Sequence, residues 1–343
     1  MSNFRFKALI GVVVLFVAVP GWYFLGGEKQ TDSAVTDCQG KYAKISIGTY
    51  PGDLAGLLWV AKDLDYFSKY CLDVRMEIYP ASSGAIDDVL AGKLDFAAAS
   101  DFAFVFNNLN GRELMTFVSI ASDESSLRVI AKKASGIYAP ADLKGKKIGF
   151  LPNTRAEFGL GEFLAPYGMN FFDIIPRTYK EPFALEEAIS ENQVDAVVIW
   201  QPFVNRIEAL LQEKASSWSV RSKHQNYFQL LATREVVSAR KQDIARMLSA
   251  LSEAERYFAE RPSAARSLLL RRLPYYNASL LEDIWPAKTF QLSLSLDMLY
   301  LFNDEAKWAL AHGKYQSSEV PDFSELIYKD ALKAVKPEAV TMP

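Results

Sequence analysis

From Lys44 onward the chain alternates short apolar runs with segments whose apolar residues recur at helical spacing. KISIGTY (Lys44–Tyr50) reads as a strand, and Leu54–Tyr70 as a helix carrying Leu57, Leu58, Ala61, Leu64 and Phe67. LDVRMEIY alternates and predicts a second strand; Ser83–Ala91 predicts a short helix and Leu94–Ala99 a buried strand. Asp101 stands where a cap is needed for a helix running towards Asn110, and Leu114–Ala121 and Leu127–Ala131 predict two more strands. The alternation then restarts. Lys147–Phe150, Ile174–Tyr179 and Val194–Trp200 read as strands, with helices over Arg155–Tyr167, Leu185–Ser190 and Phe203–Leu211. Phe228–Thr233 is the last strand predicted. Helices follow over Gln242–Glu260, Ser263–Leu270, Ala278–Trp285 and Leu296–His312. Strands alternating with helices imply right-handed crossovers and mostly parallel sheets, an α/β fold.

The pattern has an internal echo. AGKLDFAAAS (Ala91–Ser100) and ENQVDAVVIW (Glu191–Trp200) each follow a short helix, and each puts an apolar-Asp pair at the start of a strand, Leu94-Asp95 and Val194-Asp195. Two similar lobes, each with one such unit, would produce it; so would a common helix-to-strand turn used twice. At 343 residues the chain has room for two domains.

The first segment sets the compartment. Arg5 and Lys7 precede an uncharged apolar run, Ala8–Leu25, with Trp22 and Tyr23 near its far end. About 18–20 apolar residues just span a bilayer core, and aromatic residues suit its interface. Residues 1–27 are therefore a membrane anchor, with a long cleaved signal peptide as the alternative, and residues 28–43 a polar linker. Either way the globular part is exported, so Cys38 and Cys71 are expected to pair as a disulfide. Cys38 precedes the first strand and Cys71 opens the second, and adjacent parallel strands begin at one sheet edge. Two separate buried thiols is the other reading.

Composition narrows the function. Lys and Arg number 38 against 41 Asp and Glu, a net charge of -3, with no general electrostatic footprint for nucleic acid. Two cysteines cannot build a Cys-rich zinc module, and two histidines leave little for metal or acid–base work. His224 and His312 read as surface residues. No paired-carboxylate or Ser-His-Asp motif is evident, so the chain is expected not to be an enzyme and to need no cofactor.

Several segments together resemble the periplasmic substrate-binding proteins of ABC importers, in the branch that binds sulfonates, taurine, nitrate and thiamine pyrimidines. They are KISIGTYPG, LLWVAKDLDYFSKYCLDVRMEIYPASSGAIDDVLAGKLDFAAASD, GIYAPADLKGKKIGFLPNTRAEFGLGEFLAPYGM (Gly136–Met169) and VDAVVIWQPF (Val194–Phe203). Order and spacing fit across Lys44 to Leu211. The resemblance implies a two-lobe periplasmic-binding-protein type II fold whose lobes are joined by a two-strand hinge and close on a ligand. It implies lobe one as residues 44–131 plus 226–343 and lobe two as residues 132–225, with crossings near Lys132 and Gln225. Related pyrimidine synthases use a Cys-rich segment that this chain lacks.

In open parallel sheets ligands sit beyond the carboxyl ends of the strands. Those ends offer Tyr50, Ser82, Ser83, Ser100 and Asp101 in the first unit, and Asn153, Thr154, Arg155, Trp200 and Gln201 in the second. The turns ASSG and PNTR precede helices, where free N–H groups and small hydroxyls suit a carboxylate, sulfonate or phosphate; plain N-capping explains either turn alone. Arg155 is a fork for an anion, or a surface charge paired with Glu157 or Glu162; the family commonly has a small residue near this position. Asp101 binds an amine or ring N–H, or caps its helix. Tyr50 and Trp200 are flat walls for a ring or alkyl chain, or lobe packing.

The function expected is capture of a small polar, anionic molecule between the lobes of a monomer in the periplasm. The monomer would be anchored to the inner membrane by residues 8–25 and would deliver its ligand to an ABC permease. The alternative is a tethered sensor or adaptor of the same fold that signals through a separate protein.

Overall fold

A computed structural model describes residues 38–124, 127–312, 315 and 317–342. The expected anchor, residues 8–25, lies outside them. Among the described residues no helix is long and apolar enough to cross a membrane.

The first stretch runs β1 (Ala43–Thr49), α1 (Gly56–Asp63), α2 (Tyr66–Lys69), β2 (Leu72–Ile78), α3 (Ser82–Leu90), β3 (Phe96–Ser100), α4 (Asp101–Leu109) and β4 (Met115–Asp123). The helix expected over Leu54–Tyr70 is broken in two because Asp65 takes a left-handed φ of 56°, which ends α1 and restarts the chain as α2. The second stretch runs β5 (Leu127–Lys132), β6 (Lys147–Phe150), α5 (Arg155–Leu164), β7 (Ile175–Thr178), α6 (Pro182–Ser190), β8 (Ala196–Trp200), α7 (Phe203–Leu211) and β9 (Ala215–Ser219). The chain then returns through β10 (Asn226–Ala232) to α8 (Arg234–Ala239), α9 (Lys241–Glu260), α10 (Pro262–Arg272), α11 (Ala278–Ile284), β11 (Lys288–Thr289), α12 (Leu296–Ala311) and α13 (Asp330–Val335).

Two sheets result, ordered β11-β4-β10-β3-β1-β2 and β7-β6-β8-β5-β9. In each, three parallel strands (β2-β1-β3 and β7-β6-β8) meet one antiparallel strand on the β3 or β8 side, β10 or β5. This corrects one expectation. Leu127–Ala131 was assigned to lobe one, but it pairs with β8 and β9 of the second sheet, so the chain leaves the first sheet after Asp123. A strand that feeds the second sheet reads in sequence like one that closes the first. The return crossing lies between Ser219 and Asn226.

The echo noted in the sequence is a repeated joint. Asp95 Oδ2 accepts from the N–H and hydroxyl of Ser46 in β1, at 2.8 and 2.9 Å. Asp195 accepts from the N–H of Lys147 in β6 at 2.9 Å and from the Ser135 hydroxyl at 2.8 Å. Each aspartate ties the start of the middle one of its sheet's three parallel strands, β1 or β6, to the parallel strand beside it, β3 or β8.

The main core packs the first sheet against α1, α9, α12 and the C-terminal segment; two smaller cores cover the faces of the second sheet. Cys38 and Cys71 form a disulfide with Cα atoms 5.4 Å apart, so the expected pairing is present. It fastens the segment before β1 to the start of β2.

Candidate functional site

Strand direction explains where the site lies. β1, β3 and β4 point their carboxyl ends at one edge of the first sheet, β6 and β8 do so in the second, and antiparallel β10 and β5 bring their amino ends to the same edges. Between those edges is a cavity of about 220 Å³. Nine of the ten expected site residues line it: Tyr50, Ser82, Ser83 and Ser100 from the first sheet's side, Asn153, Thr154, Arg155, Trp200 and Gln201 from the second's. Asp101 does not line it. That side chain is fully buried and accepts from the N–H groups of Phe102 and Tyr227, both at 2.7 Å. Nor is it the cap of its helix; Ser100 is, accepting from Ala103 N–H.

Tyr50 folds back over Gly52, where a Cβ would lie 1.8 Å from its ring. A glycine is thus what lets the ring form a wall, edge-on to Phe228 at 5.3 Å. Burial, then Asp53 and Asp123, push its hydroxyl pKa well up, which keeps the proton on the oxygen.

The three helix starts facing the cavity differ. α4 is capped by Ser100. α5 is capped by Thr154, which accepts from Ala156 N–H, while Glu157 takes the N–H of Asn153, held left-handed at φ 62°. α3 has Ala81 at its cap position and no acid in its first turn, and the Ser82 and Ser83 hydroxyls make no hydrogen bond among the described residues. Its first-turn N–H groups therefore keep their positive end of the helix dipole without a side-chain cap.

Arg155 is not a free fork. It is buried, 3.0 Å from Glu305 of α12 and 3.2 Å from Glu162, with its guanidinium 4.7 Å from the Phe158 ring. Glu162 is one of the two partners foreseen; Glu305, 150 residues away, had no local signal. Burial works against the Arg155 charge, but Asp101, Glu305 and Glu162 raise its pKa overall. Burial, together with Asp101, pushes Glu305 well up despite Arg155.

A second buried cluster was missed. Lys288 Nζ lies 3.0 Å from Asp53 and 3.1 Å from Asp123, and both aspartates line the cavity. Asn226 donates to Asp123 at 2.8 Å, and the Tyr276 hydroxyl donates to Asp53 at 2.8 Å. Burial opposes the Lys288 charge, but Asp123 and Asp53 raise its pKa above the ordinary lysine value. Asp123 ends β4, the same signal that marks Ser100 at the end of β3. Asn226 escaped because β10 runs backwards and offers its first residue; Asn107, which also lines the cavity, escaped because it lies two turns into α4.

These two sheets, closed about a cavity at their strand ends, define a protein of the two-lobe periplasmic-binding-protein fold. The chain belongs to the NMT1/THI5 like family, whose model matches residues 54–265. It is 24% identical over 229 residues, 64% of this chain and 68% of the other, to a protein of Brucella abortus (strain 2308) that carries the name binding protein. It is 30% identical over 135 residues, 39% of this chain and 41% of the other, to an Escherichia coli (strain K12) protein named for binding aliphatic sulfonates. Its fold matches the alkanesulfonate-binding protein SsuA from Xanthomonas axonopodis pv. citri bound to MOPS, with a TM-score of 0.72 at 19% identity over 84% of this chain and 99% of that one.

Proposed function

We propose that this protein is a solute-binding protein, not an enzyme, that works as a monomer in the periplasm and passes a small polar ligand to an ABC permease. Lobe one would comprise residues 43–123 and 226–342, and lobe two residues 127–219. The observation that carries the reading is the cavity of about 220 Å³ lined from both sheets, in a chain of this family. The disulfide favours an oxidising compartment. The ligand would present an acceptor group, such as a sulfonate or carboxylate, to the uncapped start of α3 at Ser82 and Ser83. The Asn153–Arg155 turn is a poorer anion site, because Glu157 takes the Asn153 N–H and Glu305 and Glu162 already pair with the Arg155 guanidinium, which keeps only its Nε–H without a partner among the described residues.

Trp200 in the cavity wall supplies a signal for the test. Tryptophan fluorescence titrations with sulfonates, carboxylates, nitrate and pyrimidines should find saturable one-to-one binding of a panel member. Ser83→Trp, which fills the cavity, should abolish it. Binding untouched by that substitution would put the site elsewhere.

A further inference from the structure

We propose, resting on the reading that two lobes close on a solute, that the turn at residues 273–277 is a latch that adds closing free energy of its own, whether or not a solute is bound. The turn joins α10 to α11 and belongs to lobe one. Its sequence, LPYYN, puts two adjacent tyrosines in a turn, where small polar residues are the rule. It is held on its own side. Leu273 is buried in the main core, and Tyr276 N–H donates to the Leu273 carbonyl at 3.1 Å. Asn277 caps α11 by accepting from Leu280 N–H at 2.8 Å. Both tyrosines then cross to the other lobe. The Tyr276 hydroxyl comes 3.2 Å from the Gln201 carbonyl, just past β8. The Tyr275 ring enters a slot between α6 and α7, edge-on to Phe183 at 5.2 Å, 6.4 Å from Phe203 and 5.5 Å from the Arg206 guanidinium.

The slot is built entirely within lobe two. Phe183 and Phe203 meet edge-on at 4.9 Å. Arg206 lies 5.3 Å from the Phe183 ring and is fixed by two bonds to Glu186, at 2.7 and 2.8 Å. All four residues stand on α6 and α7. Neither half needs the other for its shape, so a swing of the lobes parts them without unmaking either. The contact is also one that can be broken. Tyr275 and Phe183 are each 40% exposed, and the Tyr275 hydroxyl has no hydrogen-bond partner among the described residues, so parting strands no buried polar group. An aromatic pair and a half-exposed cation–π contact are each modest. Because they exist only with the lobes together, they favour the closed form before a solute arrives and slow its opening afterwards. The latch therefore sets residence time without touching the solute.

Pulsed electron paramagnetic resonance on the purified full chain, with no solute added, reads the distance between the lobes. The two native cysteines are joined to each other, so Lys93→Cys and Lys180→Cys, exposed sites in lobe one and lobe two, take the spin labels. The labelled protein should show a closed population beside an open one. Tyr275→Ala should raise the open-to-closed ratio about tenfold, the combined effect of one aromatic pair and one half-exposed cation–π contact. Phe183→Ala should act in the same direction, and the double variant should fall well short of the product of the two, since both remove one contact. Arg206→Gln, which keeps both phenylalanines, should raise the ratio a few-fold. Tyr275→Phe, which keeps the ring and removes only an unbonded hydroxyl, should leave it as in wild type. Thermal unfolding midpoints should stay near the wild-type value, because the truncated rings are half-exposed. A protein with no closed population in the absence of solute, or a Tyr275→Ala variant as closed as wild type, overturns the latch. Neither result touches the solute-binding reading, which stands or falls on the titrations above.

Discussion

Arg155, the first residue of α5, meets Glu305 of α12 at 3.0 Å, with the glutamate fully buried. The pair joins a helix of the second sheet's unit to one packed on the first, so the guanidinium ties the two units together. Breaking such a pair leaves an uncompensated buried charge, whereas replacing both members by apolar groups of similar size removes the penalty. Arg155→Ala should destabilise the fold by about 3–5 kcal/mol. Arg155→Met combined with Glu305→Leu should recover most of that loss and keep ligand affinity within a few-fold of wild type. Chemical denaturation and titration of the three proteins check both statements. A double variant that folds but loses the ligand would return Arg155 to the role of anion fork.

The disulfide closes a separation of 33 residues. Loop entropy assigns such a closure about 3–4 kcal/mol. Cys38→Ser with Cys71→Ser should lower the denaturation free energy by that order, and Ellman titration of denatured, non-reduced wild type should find no thiol. Two thiols per chain in periplasmic material would refute the pairing.

Asp95 and Asp195 show how far a sequence alone leads. The echo around them was visible as a pattern, and its cause, one carboxylate fastening two strand starts in each lobe, is a contact over 49 residues to Ser46 and 48 to Lys147. Burial alone would raise the Asp195 pKa, but the Lys147 N–H, the Ser135 hydroxyl and nearby lysines lower it. Local patterning also exposed nine cavity residues, because turns after strands carry their own signal. Glu305, Lys288 and Asn226 carry none: their roles come from which distant elements the tertiary fold sets beside them. The strand Leu127–Lys132 was legible as a strand but not as a member of the second sheet, since periodicity reports burial and not partner. Asp195→Ala should cost about 1 kcal/mol by removing two hydrogen bonds whose donors water can reach, measurable as a lower urea midpoint with an unchanged slope.

Tyr276 offers a test of closure. Its hydroxyl donates to Asp53 at 2.8 Å and lies 3.2 Å from the Gln201 carbonyl, which belongs to the other side of the cavity. Burial, then Asp53 and Tyr50, raise its pKa well above the ordinary tyrosine value, so it stays a donor at physiological pH. Tyr276→Phe keeps the ring and removes the bridge. Ligand affinity should fall by about 1–2 kcal/mol, through faster release more than slower capture. Stopped-flow fluorescence at Trp200 separates the two rates.

His224 lies in the return crossing between the sheets, with Nδ1 2.9 Å from Asp297 and Nε2 3.3 Å from Asp304, both on α12. Burial would lower its pKa, but the two aspartates raise it above the ordinary histidine value. Glu162, Arg221 and Lys223 share its surroundings. A raised folded-state pKa fixes the sign: the contribution is complete below the unfolded value near 6.5 and is lost as pH rises through the folded value. The aspartates are half-exposed, so the contribution is no more than about 1 kcal/mol. Between pH 5.5 and 8.5 the unfolding midpoint of wild type should decline relative to that of His224→Gln, and the two curves should converge at the alkaline end. Raising the salt concentration should shrink the gap at acid pH, since screening weakens partly exposed pairs. A gap that widens with pH would mean that the imidazole is held neutral in the folded protein, with the two aspartates serving only as hydrogen-bond acceptors.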